Sequence, residues 1–228
     1  MRYIQKKRTG VGYSKLLKIQ KAEGSYDDTK NDNSKRPKVT TRTDILKDLL
    51  DEQGYLCAYC MREISLDNAD IEHIVGQKYV DSEGKEIGKK EDTCYDNMLA
   101  VCHGNFCKNE THCDTSRSKY QAKRPLLSIS PLNRLQMNGI KFTQSGVVYY
   151  ENLDDETDMN FDLNSVLNLN CENIRSKRKK IIKTIKKILS KHRFDKKFAQ
   201  KELEYWEQRN GSYKAFCQVA IFELRKYI

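Results

Sequence analysis

The sequence has no apolar run that approaches the length of a membrane span, which takes about 20 predominantly apolar residues. Its first ten residues, MRYIQKKRTG, are basic but lack the apolar segment of a secretory signal peptide. Acidic residues are outnumbered by basic ones, since 32 Asp and Glu stand against 42 Lys and Arg and leave a net charge of +10. These absences predict a cytoplasmic protein with no membrane contact, and 228 residues are enough for one or two compact domains.

The excess positive charge is concentrated in two segments. Residues 1–21 carry seven Lys or Arg and no acid, and residues 175–197 carry twelve, opposed only by Asp195. Positive charge attracts nucleic-acid phosphates, acidic proteins and membrane surfaces alike, and a single charge run is most often a solvated face. Residues 175–197 are therefore either a track for a DNA backbone or a docking surface for a partner. A DNA track should weaken when neighbouring cations are neutralised, namely Lys177, Arg178, Lys179 and Lys180.

Turn residues and apolar spacing predict several elements. The polar residues 22–40 indicate a loop or extended arm, and 81–92 a surface loop. The stretch TRTDILKDLLDEQG, 41–54, predicts a helix capped by Thr41 or Thr43 and ended by Gly54. Its apolar stripe is Ile45, Leu46, Leu49 and Leu50.

The C-terminal part begins near Pro125 and Pro131, where we expect a seam. The stretch GIKFTQSGVVYY, 139–150, predicts a β-hairpin that turns at Gln144-Ser145-Gly146. A Lys-rich helix should follow, and a last helical stretch from about Lys196 is broken near Gly211. The predicted apolar face of the Lys-rich helix is Ile181, Ile185, Ile188 and Leu189.

Cysteines are abundant for a chain in a reducing compartment, where disulfides are disfavoured. Six of the eight lie between positions 57 and 113, and this clustering indicates a metal site. Cys57-Ala58-Tyr59-Cys60 is a C-x2-C turn whose two thiolates can reach one tetrahedral Zn²⁺. We select Cys102, at the end of an apolar strand, and Cys113, at the start of a helix, as the other two ligands.

Other cysteines leave the ligand set open. Cys107 is the main rival, because Cys102-x4-Cys107 is also a feasible pair. Cys94 is interpreted as a surface or partly buried thiol, and Cys171 and Cys217 as helix core residues.

The stretch DIEHIVGQ, 70–77, places Glu72 and His73 side by side in an apolar segment. By itself this is most simply a half-buried strand, and a single short match is weak evidence. The chain then supplies YDNML, which contains Asn97, and HCDTSR, which contains His112, Asp114 and Arg117. This order, with the cysteine pairs around it, resembles the HNH endonuclease family, also called the ββα-metal fold.

The resemblance implies a role for each matching residue. His73 would be the general base, and Asn97 would hydrogen-bond loop backbone and hold His73 in place. Glu72 and Asp114 would be ligands of a catalytic Mg²⁺ or Mn²⁺, with a bend after the strand letting Glu72 and His73 meet at the metal. Arg117, one turn after Asp114, would bind a phosphate.

Two departures from the family pattern leave alternatives. The position that is usually His or Asn is Asp114 here, so His112 is a possible alternative ligand with Asp114 orienting it. The second cysteine pair is stretched to Cys102-x10-Cys113. With both departures the chain resembles one subgroup of the family, the HNH subunit of Septu-type anti-phage defence systems. This subunit also occurs with some retrons. LLDEQGYLCAYC, IEHI, YDNML, HCDTSR and a later LNLNCENIR carry that likeness.

The resemblance implies an α+β fold with a zinc-braced ββα-metal module, an N-terminal helix and a mainly helical C-terminal part with one β-hairpin. The expected domains are a basic N-terminal arm (1–40), the zinc-braced HNH nuclease module (41–124) and a hairpin plus helical region for partner or nucleic-acid docking (125–228). Structural Zn²⁺ and catalytic Mg²⁺ or Mn²⁺ are the expected cofactors.

The expected partners are an SMC-like or ABC-type ATPase subunit, a nucleic-acid substrate with DNA favoured over RNA, and in retron settings a reverse transcriptase with its RNA–DNA. The alternatives are a zinc-containing nucleic-acid-binding module and a scaffold subunit, both without catalysis.

Overall fold

A computed structural model describes residues 1–30, 40–105, 110–151 and 158–228 as a mixed α+β fold. The strands of the described part are β1 (Ala69–His73), β2 (Met98–Cys102), β3 (Ile140–Phe142) and β4 (Val148–Tyr150). The α-helices of the same part are α1 (Val11–Lys21), α2 (Thr41–Gln53), α3 (Ile87–Lys90), α4 (Cys113–Tyr120), α5 (Arg134–Asn138), α6 (Asp158–Phe161), α7 (Glu172–Lys191), α8 (Lys196–Glu207) and α9 (Cys217–Leu224). In these residues no helix has the length and apolarity that a membrane span requires.

Helix α2 confirms the predicted helix and its end. Gly54 takes the left-handed conformation, with φ 64°, that glycine adopts most easily. The cap differs from the prediction, because Thr40 rather than Thr41 or Thr43 accepts a hydrogen bond from the Thr43 N–H. The predicted apolar stripe is buried, so the helix delivers the chain to Cys57 along a packed face.

Helix α1 packs against α2. The sequence analysis predicts only a basic arm for this N-terminal segment. Gly12 allows the close approach, since a Cβ there would lie 2.3 Å from the backbone nitrogen of Ile45. After α1, residues Tyr26–Lys30 form a 3₁₀ turn in the stretch that the sequence predicts as a loop or arm. Most of the rest of that stretch, 31–39, lies outside the described residues.

Strands β1 and β2 form an antiparallel pair, in register from Ala69 opposite Cys102 to His73 opposite Met98. Every residue of β2 is buried, so this strand lies in the middle of the packing between α2 and α4. The pair places Glu72 and His73 at one end of the ladder and Cys102 at the other. The predicted loop 81–92 contains the short helix α3.

The C-terminal part confirms the predicted hairpin, with β3 antiparallel to β4 and Gly146 at φ 85° in the turn. The last helical stretch is broken around Gly211, which separates α8 from α9. The buried face of α7 differs from the prediction, because Ile181 and Ile188 lie at its margin. Its buried residues are Ile174, Arg178, Ile182, Ile185 and Leu189. Buried apolar residues from all three predicted segments form one continuous core.

Candidate functional site

Four buried cysteines form a cluster that could hold a metal ion such as zinc. The Sγ atoms of Cys57, Cys60, Cys102 and Cys113 all lie within 4.8 Å of one another. Cys57 Sγ is 3.9 Å from Cys113 Sγ, and Cys60 Sγ is 3.7 Å from Cys102 Sγ. A tetrahedron with Zn–S bonds of about 2.3 Å has sulfur–sulfur edges of about 3.8 Å. The donor set and its spacing therefore fit a tetrahedral four-thiolate site, and the structure brings together the four cysteines selected from the sequence.

Local backbone geometry aims the first two thiols inward. The Cys57 N–H donates to the Arg62 carbonyl at 2.8 Å, and the Met61 N–H donates to the Cys57 carbonyl at 3.0 Å. Met61 takes a positive φ of 62°, which closes the turn after Cys60. This tight turn brings both side chains of the C-x2-C pair to one side.

The other two thiols come from the end of β2 and the start of α4. Cys113 has a φ of 50°, and its N–H donates to the Leu167 carbonyl at 2.9 Å. The N–H of Cys102 points at the Cys57 sulfur at 3.4 Å. Backbone strain at Cys113 is thus held in place by the C-terminal part, and a main-chain donor is already aimed at one sulfur.

Burial and mutual hydrogen bonds separate the acidities of these thiols. Burial alone would raise the pKa of Cys57, but hydrogen bonds from the neighbouring thiols bring it well below its usual range. Burial, followed by hydrogen bonds with Cys102 and Cys57, raises the pKa of Cys113 well above its usual range. Four thiolates cannot share this space without a cation, so metal binding would be coupled to proton release.

His112 lies at the cysteine cluster. Its Nδ1 is 3.2 Å from Cys113 Sγ and 3.9 Å from Cys102 Sγ. Burial, followed by the charge on Arg62, lowers the pKa of His112 to about 4, so the ring is neutral at pH 7. The alternative in which His112 is a ligand of the second metal stays a prediction. Cys107, the other rival ligand, lies outside the described residues.

Glu72 is held by a buried network that includes the C-x2-C turn. Its Oε1 accepts a hydrogen bond from Arg117 and lies 3.5 Å from the Tyr59 hydroxyl. The Arg117 guanidinium also donates to the Tyr59 hydroxyl at 3.0 Å, to the His73 carbonyl at 3.1 Å and to the Ile74 carbonyl at 2.6 Å. Arg117 is only 4% exposed, so the predicted phosphate contact does not fit this structure. It acts here as a counter-ion and backbone clamp for the end of β1.

Glu72 and Asp114 form a pair of carboxyl groups, each of which affects the pKa of the other. Burial raises the pKa of Glu72 to about 7, against the lowering effect of Arg117, and Asp114 raises it further. The pKa of Asp114 is also raised, by burial and by the nearby charge of Asp70. The carboxyl groups of this pair therefore disfavour charge on Glu72 and, through burial and Asp70, on Asp114, and a bound cation would stabilise both charged forms.

His73 is buried at the end of β1, with its ring on the side of the N-terminal segment. Its Nε2 is 3.0 Å from the Asp92 carbonyl oxygen, which can only accept, so Nε2 carries the hydrogen and Nδ1 keeps the lone pair. The Tyr26 ring meets the imidazole edge-on, with centroids 4.5 Å apart. Burial lowers the pKa of His73, which keeps the ring neutral near pH 7.

The ladder between β1 and β2 stays regular through His73, so Glu72 and His73 point to opposite faces of the strand. The chain bends directly after the strand, at Ile74 and Val75. Among the described residues, the polar partner of the His73 ring is the Asp92 carbonyl and not the carboxyl pair.

Asn97 makes backbone hydrogen bonds of the kind the resemblance implies. Its Oδ1 accepts from the Val75 N–H at 2.7 Å, and its Nδ2 donates to the Val75 carbonyl at 3.1 Å and the Glu91 carbonyl at 2.9 Å. It thereby fixes the chain just after His73 to the segment that carries the Asp92 carbonyl.

Three residues at this site are not predicted by the sequence motifs. Tyr59 links the cysteine turn to Glu72 and Arg117. In the sequence, its role is indicated only by its position between the candidate metal ligands Cys57 and Cys60. His103 Nδ1 lies 2.6 Å from Asp70 Oδ2 beside the carboxyl pair. Asp70 could have been found by alternation, since it shares a strand face with Glu72.

The remaining cysteines of the described residues lie outside the cluster. Cys171 and Cys217 are buried, as predicted, and Cys94 is half-buried. They leave the four-cysteine set without a fifth thiol among the described residues.

Comparison with protein-family models finds no match to this chain, and a search among curated proteins finds none either. The resemblance to HNH endonucleases therefore remains a prediction from the motifs.

Proposed function

We propose that this chain is a metal-dependent endonuclease of the HNH type, which hydrolyses phosphodiester bonds in nucleic acid, with DNA favoured over RNA. The observation that carries the proposal is the pair of carboxyl groups, Glu72 on β1 and Asp114 on α4, held next to the buried cysteine cluster. Adjacent residues serve the two sites, because Cys113 lies in the cluster and Asp114 in the pair. A structural metal would fix the strand and helix that carry the carboxylates.

The cysteine cluster is assigned to structural Zn²⁺. Its four thiolates leave no open coordination position, which is the pattern of structural rather than catalytic zinc. The Glu72 and Asp114 carboxylates are assigned to Mg²⁺ or Mn²⁺, which prefer oxygen ligands. A divalent cation bound there would supply electrostatic stabilisation of charge at the phosphate and at the leaving oxygen.

His73 is assigned as the general base on the strength of the motif resemblance, since its ring lies on the opposite face of β1 from Glu72. Its hydrogen bond to the Asp92 carbonyl fixes the tautomer with a lone pair on Nδ1, and its lowered pKa keeps that lone pair unprotonated near neutral pH. Asn97 keeps the Val75 and Glu91 backbone in place around the ring. Arg117 holds the Glu72 carboxylate and the backbone carbonyls of His73 and Ile74.

The proposed setting is that of an effector subunit in an anti-phage defence complex of the Septu or retron type. An SMC-like or ABC-type ATPase is the proposed partner, and a retron reverse transcriptase with its RNA–DNA is a further one. The motif resemblance supports this setting.

A second candidate, a zinc-containing module without catalysis, is favoured by one observation. The Glu72 carboxylate is paired with a buried Arg117, which is how a purely structural carboxylate would be placed. In that case the carboxyl pair would hold no metal, and the chain would bind nucleic acid or a protein partner without cleaving anything.

The test is a cleavage assay on supercoiled DNA and on RNA with Mg²⁺ or Mn²⁺, with and without the candidate ATPase. Asp114→Asn is compared with Asp67→Asn, the same change at an exposed position. Cleavage that is lost in Asp114→Asn and kept in Asp67→Asn supports the nuclease. Absence of cleavage in every combination, with zinc bound and the protein folded, supports the module without catalysis.

A further inference from the structure

Helix α7 carries a row of lysines on the face directly opposite its buried face. At 100° per residue, Lys180, Lys183 and Lys187 lie within one narrow stripe at i, i+3 and i+7. All three are exposed, and Lys179 and Lys191 flank them. We call these five lysines the basic stripe. At about 1.5 Å per residue, the row from Lys180 to Lys191 is roughly 16 Å long.

Within the part of the chain that the structure describes, the lysines of the basic stripe have no acidic partner. No carboxylate of that part forms an ion pair with any of the five, whereas Lys186 on the flank of the same helix pairs with Glu223 at 3.7 Å. Like charges spaced three or four residues apart destabilise a helix by a few tenths of a kcal/mol per pair. Repulsion among these lysines therefore destabilises α7 in the isolated chain, and a bound polyanion would remove this destabilisation.

The surface between the lysines does not suit a protein partner. Exposed residues beside the row include Ser176 and Thr184, which are small and polar. Protein interfaces are depleted in lysine, and their energy comes from buried aromatic or apolar anchors at the centre. A nucleic-acid backbone needs no such anchor, because its affinity comes from phosphate contacts and the release of counterions.

The position of α7 connects the stripe with the candidate site. The N–H groups of Glu172 and Asn173 at the start of α7 both donate to the Glu110 carboxylate, at 3.1 Å each. Glu110 lies four residues before Asp114, and the Cys113 N–H donates to the Leu167 carbonyl just before α7. A nucleic-acid backbone bound to the basic stripe would therefore lie against α7, and α7 is hydrogen-bonded to the segment that carries Asp114.

From these observations we infer that the basic stripe of α7 binds the phosphate backbone of duplex nucleic acid without reading its sequence. The inference deepens the proposed function by locating a substrate-binding surface. It concerns binding alone, so it can fail while the nuclease stands, and it can hold in a chain that does not cleave.

The experiment measures binding of a labelled 20-bp DNA duplex of arbitrary sequence across a salt series, without added divalent cation and in a His73→Ala background. The test variant replaces Lys180, Lys183 and Lys187 by Gln. The control replaces Lys196, Lys197 and Lys201 by Gln, three exposed lysines on α8 with the same loss of charge. Circular dichroism and zinc content verify that both fold.

We expect the stripe variant to bind about 10- to 100-fold more weakly near 0.1 M salt, and the slope of log K against log[salt] to fall by about 0.9 for each phosphate that the variant no longer neutralises. The control should keep the parent slope. A second duplex of unrelated sequence should give the same result, since backbone contacts carry no sequence information. An unchanged slope in the stripe variant, or equal losses of affinity in both variants, would overturn the inference and leave the stripe to an acidic protein partner.

Discussion

The cysteine cluster and the carboxyl pair are built from neighbouring residues of the same elements, yet their surroundings are opposite. Cys113 is fully buried, while Asp114, the next residue, is only partly buried and faces Glu72. The cluster contains four soft sulfur donors at the spacing of a closed tetrahedron, whereas the pair contains two hard oxygen donors, too few to fill the coordination of a divalent cation. Closed four-ligand sites are typical of structural metals, and sites with open positions are typical of catalytic ones.

The difference indicates a direction of dependence between the two sites. Tyr59 lies inside the C-x2-C turn and contacts both Glu72 and Arg117, so the geometry of the pair depends on the turn. The cluster does not depend on the pair in the same way, because its contacts are among its own sulfurs, nearby backbone and His112. Loss of the cluster should therefore disable both sites, whereas loss of the pair should leave the cluster intact.

The largest effect is expected from Cys57→Ser. Structural zinc contributes on the order of 10 kcal/mol of folding free energy in small zinc domains, and a hydroxyl is a poor substitute for a thiolate. We expect loss of bound zinc and of the cooperative unfolding transition, measured by metal analysis and thermal denaturation. Cys94→Ser is the matched control, since Cys94 is half-buried and outside the cluster. If Cys57→Ser folds with full zinc content, the ligand assignment is wrong.

The second effect is a loss of cleavage in His73→Gln. Removal of a general base typically lowers the rate by about 10²–10⁴-fold. Gln preserves most of the volume beside Tyr26 and can still donate to the Asp92 carbonyl, so zinc content and melting temperature should stay near those of the parent. Tyr26→Leu is a useful second variant, because it removes the aromatic ring that covers the His73 imidazole and leaves His73 itself unchanged. Cleavage that survives in His73→Gln would remove His73 as the base.

The third effect is a loss of stability in Arg117→Ala. Breaking a buried ion pair by removing one partner costs about 3 kcal/mol, and here two backbone carbonyls also lose their donor. Urea unfolding should show this decrease, while zinc content remains complete because Arg117 does not contact the cluster sulfurs. Lys119→Ala, two residues along the same helix and exposed, should have little effect. Unchanged stability with weaker nucleic-acid binding would instead restore the phosphate-binding role predicted from the sequence.

Arg117 also shows why part of the site could not be read correctly from motifs. The sequence places it three residues after Asp114, which suggests a shared exposed face, but it also lies four residues after the buried Cys113. Arg178 repeats the pattern, because it lies four residues from both Ile174 and Ile182 and is 2% exposed. Its guanidinium donates to the Gly146 carbonyl at 2.6 Å and the Leu169 carbonyl at 2.7 Å. Both arginines occupy buried helix faces, where they satisfy backbone carbonyls.

The cysteines were predictable for the opposite reason. A thiol can be recognised by residue type and spacing, and Cys102 and Cys113 each lie where a strand or helix begins or ends, which is where ligands converge. Helix α2 and the β3–β4 hairpin were predictable because capping and turn residues mark their ends. Helix α1 and Tyr59 were not, since their positions depend on long-range packing against α2 and Arg117 that no local pattern encodes.

The smallest effect is a pH dependence of cation binding at the carboxyl pair. Burial raises the pKa of Glu72 to about 7 in the metal-free protein, so below that pH the carboxyl group is protonated and a divalent cation must displace one proton. The affinity for Mn²⁺ should therefore rise with pH, by up to about tenfold per unit below pH 7, and level off above it.

Calorimetric titration with Mn²⁺ between about pH 5.5 and 8.5, in buffers of different ionisation enthalpy, measures both the affinity and the proton released. Glu72→Gln should bind Mn²⁺ more weakly and lose the proton release, because the amide has no proton to give up in this range. A flat affinity with no proton release in the parent would mean that the cation binds elsewhere, and it would leave Glu72 as the structural partner of Arg117 alone.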